Sequence, residues 1–323
     1  MEPILDVSNL RTYFHGKDGA VPAVDGVSFS VAAGQTLGIV GESGCGKSIT
    51  ALSILQLMPT RTAQIEQGSS IRLQGEELLT KTPQQMCRLR GDEIAMIFQD
   101  PMTSLNPVMT IGRQMSEVFI THQGMKKKEA WAHAVEMLRS VGIPAPEARA
   151  KEYPHQLSGG MKQRVMIAMA LSCKPAVLIA DEPTTALDVT IQAQILDLMV
   201  QMKEKTNTAI LLITHDMGVV AEMADYVLVM YAGHVMEYAS AAELFDEPLH
   251  PYTRGLLESI PRLDRDVDVL HTIPGNVPNL SDMPKGCRFC TRCPNASERC
   301  RSEEPPLYTL GGRKVKCFLY AEG

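Results

Sequence analysis

The sequence of 323 residues lacks any apolar stretch that approaches the roughly 20 residues needed to cross a bilayer. Its first residues, Met1–Asp6, also lack the basic start and the apolar core of a signal peptide. An excess of positive charge is missing as well, because the net charge is −6 and the basic run Lys126–Lys128 is short. These absences predict a chain that stays in the cytoplasm and argue against a nucleic-acid-binding role, which needs clustered Lys and Arg.

A tandem repeat is missing too, so the sequence predicts one copy of its main domain rather than two fused copies. What is present is an ordinary globular composition, with 45% hydrophobic and 21% charged residues. A chain of 323 residues is long enough for one large domain and a smaller one, since domains usually contain about 100–200 residues.

A glycine-rich octet, Gly41–Ser48, follows the apolar run Leu37–Val40. The octet fits the phosphate-loop pattern G-x-x-x-x-G-K-[ST], in which backbone N–H groups and a helix N-terminus surround phosphates. In this pattern Lys47 reaches the terminal phosphates and Ser48 binds Mg²⁺ directly. The sequence therefore predicts a strand, a phosphate loop and a helix from Lys47 to about Met58.

Two further apolar runs, Ala176–Ala180 and Ala209–Thr214, predict buried strands of a sheet that is covered on both faces. Asp181 and Glu182 follow the first of them. Successive side chains of a strand point in opposite directions, so two adjacent carboxylates can do separate jobs. We expect Asp181 to hold Mg²⁺, directly or through water, and Glu182 to activate the attacking water as a general base.

The rest of the chain divides by pattern. Short β-rich runs over residues 4–40 predict a β-rich N-terminal part. Helical patterning from about Asp100 to Gln156, clearest at Ala130–Leu138, predicts an inserted helical subdomain at about residues 100–156. Prolines recur after Ala239, so regular structure should thin out before a small, irregular, cysteine-rich C-terminal region. The fold class that follows is α/β.

A second motif, Leu157–Met161, reads Leu-Ser-Gly-Gly-Met and lies just ahead of the strand that ends at Asp181. Together with the phosphate loop, it resembles the ATP-binding-cassette (ABC) ATPases. The resemblance implies a P-loop, RecA-like nucleotide-binding domain over residues 1–245. It also implies that the loop Leu157–Gly160 closes over a nucleotide held by a different subunit, so the functional ATPase would be a dimer.

The resemblance assigns roles to isolated residues. Gln99 is similar to the glutamine that senses Mg²⁺ and the γ-phosphate, and with Asp100–Pro107 it matches the importer branch of the family. His215 resembles the switch histidine that contacts the γ-phosphate and orders the base. Asp188, in the segment Ala186–Asp188, resembles the loop that reports to the partner's site, although a plain helix cap is the alternative.

Two interpretations concern the edges of the nucleotide site. Phe14, with Tyr13 beside it, aligns with the aromatic residue that stacks on adenine, although an aromatic residue in a strand also suits a core. Cys45 lies in the phosphate loop near a helix N-terminus, which tends to lower a thiol pKa. We expect alkylation of Cys45 to block ATP binding and MgATP to protect it.

The predicted site falls into three groups. The nucleotide contacts are Phe14, Gly41, Glu42, Ser43, Gly44, Cys45, Gly46, Lys47, Ser48, Ile49, Ser158, Gly159, Gly160 and Asp188. The catalytic residues are Lys47, Gln99, Glu182 and His215. The Mg²⁺ ligands are Ser48, Gln99 and Asp181.

Five of the eight cysteines lie close together near the C-terminus: Cys287, Cys290, Cys293, Cys300 and Cys317. In a cytoplasmic chain this density points to a metal site before it points to disulfides. Pro294 follows a cysteine, much as proline follows a ligand in some iron–sulfur runs, yet four cysteines also form a common zinc set. Free or oxidised thiols remain a third reading, and Cys290 is an alternative ligand or a bystander.

The tail and the segments His250–Thr253 and Ile273–Pro278 resemble the ATP-binding subunits of bacterial dipeptide and oligopeptide importers. That resemblance implies a C-terminal region over residues 246–323, in which a [4Fe–4S] cluster is held by Cys287, Cys293, Cys300 and Cys317. Zinc is the alternative. We expect this region to lie outside the ATP chemistry.

The same resemblance implies partners and a location. The partners are a second, related ATPase that completes a heterodimer, two transmembrane permeases and an external solute-binding protein. The chain would lie peripherally on the cytoplasmic face of the inner membrane and hydrolyse ATP to drive peptide uptake. The alternatives are import of nickel, glutathione or another small solute, and, less favoured, a soluble ABC ATPase outside transport.

Overall fold

The computed structural model describes residues 2–16, 19–59, 61–99, 104–184, 188–260, 272–279 and 282–321. The strands are β1 (Leu5–Gly16), β2 (Gly19–Val31), β3 (Thr36–Val40), β4 (Ala63–Ile65), β5 (Ser70–Leu73), β6 (Glu76–Glu77), β7 (Ile94–Ile97), β8 (Val177–Asp181), β9 (Ala209–Thr214), β10 (Tyr226–Tyr231), β11 (His234–Ser240), β12 (Tyr308–Leu310) and β13 (Arg313–Val315). The α-helices are α1 (Lys47–Ile54), α2 (Pro83–Leu89), α3 (Ile111–Gln123), α4 (Lys127–Ser140), α5 (Pro146–Arg149), α6 (Gly159–Leu171), α7 (Val189–Thr206), α8 (Met217–Met223), α9 (Ala241–Asp246), α10 (Pro251–Glu258) and α11 (Glu298–Ser302).

The chain forms two compact units, each assembled from separate stretches of sequence. The first unit comprises Met1–Ile4, Ala32–Gln35 and Thr80–Leu211. The second unit comprises Leu5–Val31, Thr36–Leu79 and Leu212–Gly323. Within the described ranges, no helix combines the length and the apolar character that crossing a bilayer requires.

The second unit contains a β-rich layer and the strand that leads to the phosphate loop. In the β-rich layer, β1 pairs antiparallel with β2, β4 and β5. In the other layer, β10 pairs in parallel with β3 and antiparallel with β11, which is followed by β13 and β12. Every residue of β3 is buried, as the apolar run predicted for a strand covered on both faces.

The helix that follows the phosphate loop is shorter than the sequence predicted. We expected it to reach Met58, whereas α1 ends at Ile54. Gln56 adopts a left-handed conformation with φ of 50°, which stops the helix. Met58 also precedes Pro59, and a residue before proline is disfavoured in helical geometry.

In the first unit, β7 and β8 pair in parallel, with Ile94 opposite Val177. The predicted helical piece is confirmed, because α4 buries Ala130, Ala134 and Leu138 along one face and packs against α3. Lys126 is the N-cap of α4, so the basic run marks a helix start.

The C-terminal region of the second unit shares a hydrophobic core with the strand that precedes the phosphate loop. Val40 of β3 and Tyr231 of β10 lie in one buried cluster with Tyr252 and Phe289. Tyr231 packs edge to face against Tyr252, with ring centroids 4.8 Å apart, and against Phe289 at 5.2 Å. The cysteine-rich region is thus joined to the loop-bearing strand by aromatic packing, although its own helices and strands are short.

Candidate nucleotide-binding site

The phosphate loop of the second unit has a backbone that requires glycine at two positions. Gly41 has φ of 152° and Gly46 has φ of 105°, values that residues with a Cβ rarely adopt. A Cβ on Gly41 would lie 2.2 Å from the Met230 carbonyl oxygen, and one on Gly46 would lie 2.6 Å from that of Ala23. The loop is therefore packed tightly against the backbone of neighbouring strands.

The functional groups of this loop lie at the start of α1. Lys47 is buried, and its Nζ donates to the carbonyl oxygens of Gly41 at 2.7 Å and Glu42 at 3.1 Å. Ser43 and Gly44 are exposed at the tip, whereas Ser48 and Ile49 are half-buried in the first turn of α1. That turn contains no acidic residue, so the partial positive charge of the helix N-terminus is available to an anion.

Glu42 ties the loop to the C-terminal region. Its backbone N–H donates to the hydroxyl of Tyr252 at 2.9 Å, and its carboxylate pairs with Arg292 at 2.6 Å. Both partners lie in the region that we expected to be outside the ATP chemistry. The region thus contacts the phosphate loop directly, and its place outside the ATP chemistry stays a prediction.

The structure corrects our interpretation of Cys45. We expected the helix N-terminus to lower its pKa, but burial raises the pKa of Cys45 above its ordinary value, and the nearby Lys47 only partly offsets this effect. The side chain is fully buried. Desolvation of the thiolate outweighs the helix N-terminus here.

The aromatic residues at the N-terminal edge differ in their contacts. Phe14 lies on β1, opposite Val21 and Ala63, and is partly exposed. The Tyr13 hydroxyl donates to Asp25 at 2.9 Å, so this side chain is engaged within the second unit. Both side chains are half-buried, and only the Tyr13 hydroxyl is engaged in this bond.

His215 follows β9, whose bounds Ala209–Thr214 match the predicted strand. The side chain is exposed, and Asp216 caps α8 by accepting from the backbone N–H groups of Gly218 and Val219. His215 is thus placed between a buried strand and a capped helix, which restricts its backbone.

In the first unit, the predicted acidic pair lies at the end of β8. Asp181 is its last residue and is 4% exposed, and Glu182 follows with a left-handed φ of 47°. Gln99 Nε2 donates to Glu182 Oε2 at 2.9 Å, so the structure brings these two predicted residues together. Left-handed conformations of residues other than glycine are rare and concentrate at functional sites.

The Leu-Ser-Gly-Gly motif begins α6. Ser158 is the N-cap and accepts from the Met161 N–H at 3.4 Å, and Gly160 packs close to Ile191. Asp188 is the N-cap of α7 and accepts from the Ile191 N–H at 2.9 Å, which matches the helix-cap alternative.

Parts of two predicted motifs lie outside the described residues. They are Asp100–Thr103, after Gln99, and Ala186 with Leu187, before Asp188.

Gln163 is a residue that sequence reasoning missed. It lies on α6, is 2% exposed, and its Nε2 donates to the carbonyl oxygen of Pro183, immediately after Glu182. This bond fixes the motif-bearing helix to the end of β8. A single Gln inside a helix has no recognisable pattern, so only the spatial neighbourhood identifies it.

The five tail cysteines line one cavity of about 100 Å³ in the second unit. None of the eight cysteines, all within the described residues, forms a disulfide. Burial raises the pKa of Cys287 to about 12, and it also raises the pKa values of Cys290, Cys293 and Cys317. The convergence that the spacing predicted is therefore present among these thiols.

The cysteine cavity is the place where the sequence predicted a metal site. A zinc ion needs its sulfur ligands at about 2.3 Å. Across the described segments, no group of three or more His, Cys, Asp or Glu side chains is close enough to hold a single ion.

Comparison with known families gives two matches. Residues 24–185 match the family described as ABC transporter. Residues 236–300 match the family described as oligopeptide/dipeptide transporter, C-terminal region. The two matches cover the phosphate loop, the Leu-Ser-Gly-Gly motif, the acidic pair and most of the cysteine-rich region.

Full-length relatives agree. The chain is 57% identical to the oligopeptide transport ATP-binding protein AppD of Bacillus subtilis, over 100% of this chain and 98% of the relative. It is 52% identical to the oligopeptide transport ATP-binding protein OppD of Salmonella typhimurium, over 99% and 94% respectively.

Among solved structures, the chain is similar to the ATP-binding cassette MJ0796 in its dimeric post-hydrolysis state bound to ADP and Pi. The TM-score is 0.66 at 25% identity, and the match covers 73% of this chain and 98% of that one. The predicted α/β, P-loop ATPase fold is thereby confirmed. The chain therefore belongs to the ABC transporter family, among its oligopeptide transport ATP-binding proteins.

Proposed function

We propose that this protein is the ATP-hydrolysing subunit of an importer for di- or oligopeptides. The observation that carries the proposal is the combination of a glycine-constrained phosphate loop with a C-terminal region typical of peptide transporters, in a chain matched by peptide-transport relatives over its whole length. Under this proposal residues 1–245 form the ATPase domain, with a helical subdomain at about 100–156, and residues 246–323 form the C-terminal region.

Binding of ATP is assigned to the loop Gly41–Ser48 together with Ile49. Backbone N–H groups at the exposed tip and the N-terminus of α1 suit the phosphates, and Lys47 already points its ammonium into the loop, where it donates to two carbonyl oxygens. Phe14 is assigned to adenine because its aromatic side chain is partly exposed; Tyr13 is equally half-buried, and its hydroxyl is bonded to Asp25.

Hydrolysis is assigned to Glu182 as the general base, with Gln99 and His215 orienting the water and the γ-phosphate. The 2.9 Å hydrogen bond between Gln99 and Glu182 supports this role, because a base must be held in place to be effective. Ser48, Gln99 and Asp181 are assigned to Mg²⁺, which neutralises phosphate charge. Hydroxyl, amide and carboxylate oxygens are the donors that Mg²⁺ prefers.

The loop with Ser158, Gly159 and Gly160 is assigned to the nucleotide of a partner ATPase. A Cβ at Gly159 would meet no atom within 4 Å, so this face has room for a ligand or a partner. Asp188 lies near the same place through Ile191, and we assign it to communication between subunits in addition to its cap.

The partners we propose are a second, related ATPase, two membrane permeases and an extracytoplasmic solute-binding protein. The chain would sit peripherally on the cytoplasmic face of the inner membrane. Nucleic acid is not among the proposed partners, because the net charge of −6 disfavours phosphate backbones.

A [4Fe–4S] cluster held by Cys287, Cys293, Cys300 and Cys317 is our proposal for the tail. The five thiols line one cavity, and cysteine thiolates are the ligands that hold such clusters. Bound there, the cluster would cross-link the short elements of the C-terminal region. Cys290 lines the same cavity and is an alternative ligand.

Peptide uptake by the intact transporter tests the main proposal. In cells that lack this gene, uptake of a labelled tetrapeptide should be restored by the parental chain and not by Glu182→Gln. Restored uptake of nickel or glutathione without peptide uptake would instead establish the alternative solute.

Elemental analysis tests the cluster. Protein purified without oxygen should contain about four iron and four sulfide per chain, as a [4Fe–4S] cluster requires. Zinc alone would favour the other metal, and absence of both would remove the cluster while leaving the ATPase assignment intact.

A further inference from the structure

We infer that Arg292, in the cysteine-rich region, is a positioning residue for the phosphate loop and thereby sets the affinity for ATP. The inference rests on the proposed role of Gly41–Ser48 in binding ATP. Its basis is the contact between this arginine and Glu42, two residues that are 250 positions apart in the chain.

Arg292 makes a hydrogen bond for each of its guanidinium N–H groups. A guanidinium has five N–H donors. The Nη1 and Nη2 atoms bind the Glu42 carboxylate in a bidentate manner, at 2.6 and 3.0 Å. The other contacts are made to the Tyr231 hydroxyl and the carbonyl oxygens of Ile273 and Pro274, at 3.4, 3.2 and 2.8 Å respectively.

The Arg292 side chain is buried much more deeply than that of its partner Glu42. The Arg292 side chain is 3% exposed, whereas its partner Glu42 is 31% exposed. A buried guanidinium is costly unless it is paired and hydrogen-bonded, so the fold around Arg292 favours the conformation in which Glu42 reaches it.

Glu42 is held at a second point, through its backbone. Its backbone N–H donates to the hydroxyl of Tyr252, which is fully buried and packs edge to face against Tyr231. The side chain and the backbone of one loop residue are thus both fixed by the C-terminal half of the second unit. This is a means of preorganising a binding loop, because the order is established before the ligand arrives.

The contact between Arg292 and Glu42 is also linked to Lys47, the residue expected to bind phosphate. The Glu42 carbonyl oxygen accepts from Lys47 Nζ at 3.1 Å, so the residue that Arg292 holds also orients the ammonium that would meet the phosphates. Arg292 neutralises the Glu42 carboxylate as well. Without it, a negative charge would remain in the phosphate loop and repel ATP.

The test compares variants of the full-length chain by their affinity for MgATP and by thermal unfolding. We expect Arg292→Gln to weaken MgATP binding about tenfold, because it removes a charge-assisted bidentate contact to the loop. Arg292→Lys keeps the charge but loses the bidentate geometry, so it should restore part of the affinity.

Arg313→Gln is the matched control. Arg313 also lies in the C-terminal region, is 11% exposed and pairs at 3.2 Å with the buried Glu237 of β11. We expect this variant to lower the thermal midpoint as much as Arg292→Gln does while leaving MgATP affinity at the parental value. An equal loss of affinity in both variants would overturn the inference, because it would reflect general destabilisation.

A double-mutant cycle with Glu42→Gln completes the test. The double variant Glu42→Gln/Arg292→Gln should bind MgATP no more weakly than Arg292→Gln alone, because both changes remove one interaction. Independent, multiplied losses would contradict the inference. If Arg292→Gln does not fold, Glu42→Gln and Arg292→Lys supply the same cycle.

The parental chain separates this inference from the proposed function. Failure of the folded parental chain to bind MgATP would remove the nucleotide assignment itself. Normal binding by the parental chain together with normal binding by folded Arg292→Gln would remove only the positioning role.

Discussion

The phosphate loop and the Leu-Ser-Gly-Gly loop differ in how closely particular glycines are packed. In the phosphate loop, Gly41 and Gly46 lie against backbone carbonyl oxygens so closely that no Cβ fits, and Glu42 is fixed from the C-terminal region. In the Leu-Ser-Gly-Gly loop, Ser158 and Gly159 are exposed, and a Cβ at Gly159 would meet nothing within 4 Å.

This difference suits the phosphate loop to bind nucleotide by itself and the Leu-Ser-Gly-Gly loop to close over a nucleotide held elsewhere. A loop that is ordered on folding does not incur that entropic cost again when a ligand binds, which suits the phosphate loop to hold nucleotide by itself. In the second loop, Gly160 packs close to Ile191 but Gly159 faces open space, which leaves room there for a ligand or a partner. Changes near the second loop should therefore affect turnover, whereas changes in the first should affect folding and binding.

The largest expected effect is the loss of ATP turnover in Glu182→Gln, a change in the first unit. Removing a general base lowers rates by about 100-fold or more, whereas the amide keeps the size of the side chain and can still accept from Gln99. Phosphate release should fall by that factor while MgATP affinity and the thermal midpoint stay at parental values. Parental turnover in this variant would remove Glu182 as the base.

A pair of glycine substitutions tests the packing difference directly. Gly46→Ala places a Cβ 2.6 Å from a backbone oxygen at φ of 105°, and we expect it to cost about 2–4 kcal/mol of unfolding free energy. Gly159→Ala has open space around it and should change stability by no more than about 0.5 kcal/mol. Denaturant unfolding measures both.

Turnover adds a second readout to the glycine pair. Gly159→Ala should retain MgATP binding yet lose hydrolysis, since its new methyl group would face the partner's nucleotide. Equal destabilisation by the two substitutions would show that Gly46 and Gly159 are packed alike and would contradict the proposed difference between the loops.

Local patterns predicted the elements that depend on local sequence. The apolar run Ala209–Thr214 coincides with β9, and the spacing in Ala130–Leu138 gave the buried face of α4. The phosphate loop followed from its motif because glycine conformations and a helix start are encoded within eight residues.

Distant contacts are what the sequence could not predict. Arg292 pairs with Glu42 across 250 positions, and no periodicity links residues so far apart. The error at Cys45 has the same origin, since the helix-terminus rule is local whereas the burial that raises the pKa of Cys45 is a property of the folded chain. Gln163 was missed because its partner, the Pro183 carbonyl oxygen, is defined only by the folded backbone.

A smaller effect on stability is expected at the N-terminus of α7, whose N-cap is Asp188. Asp188→Ala removes the side chain that accepts from the Ile191 N–H, and loss of such an N-cap costs about 1 kcal/mol. Asp188→Asn keeps the cap and should keep the stability, as thermal unfolding will show. A drop in ATP turnover by Asp188→Asn at unchanged stability would identify the communication role we propose, and an equal destabilisation by both variants would contradict the cap.

The smallest effect is a difference in cysteine reactivity between the two units. Cys87 of the first unit is exposed, whereas Cys45 is fully buried in the phosphate loop and burial raises its pKa. Thiolate is the reactive form, so a raised pKa leaves Cys45 protonated near neutral pH and increases its reactivity only as the pH rises past the ordinary thiol range. With iodoacetamide at pH 7.5, mass spectrometry should find Cys87 modified first, and Cys45 should accelerate as the pH approaches 10. MgATP should slow Cys45 further without affecting Cys87, because a loop held closed by ligand opens less often. Modification of Cys45 as fast as Cys87 at pH 7.5 would mean that the phosphate loop opens often enough to expose Cys45, which would contradict its tight packing.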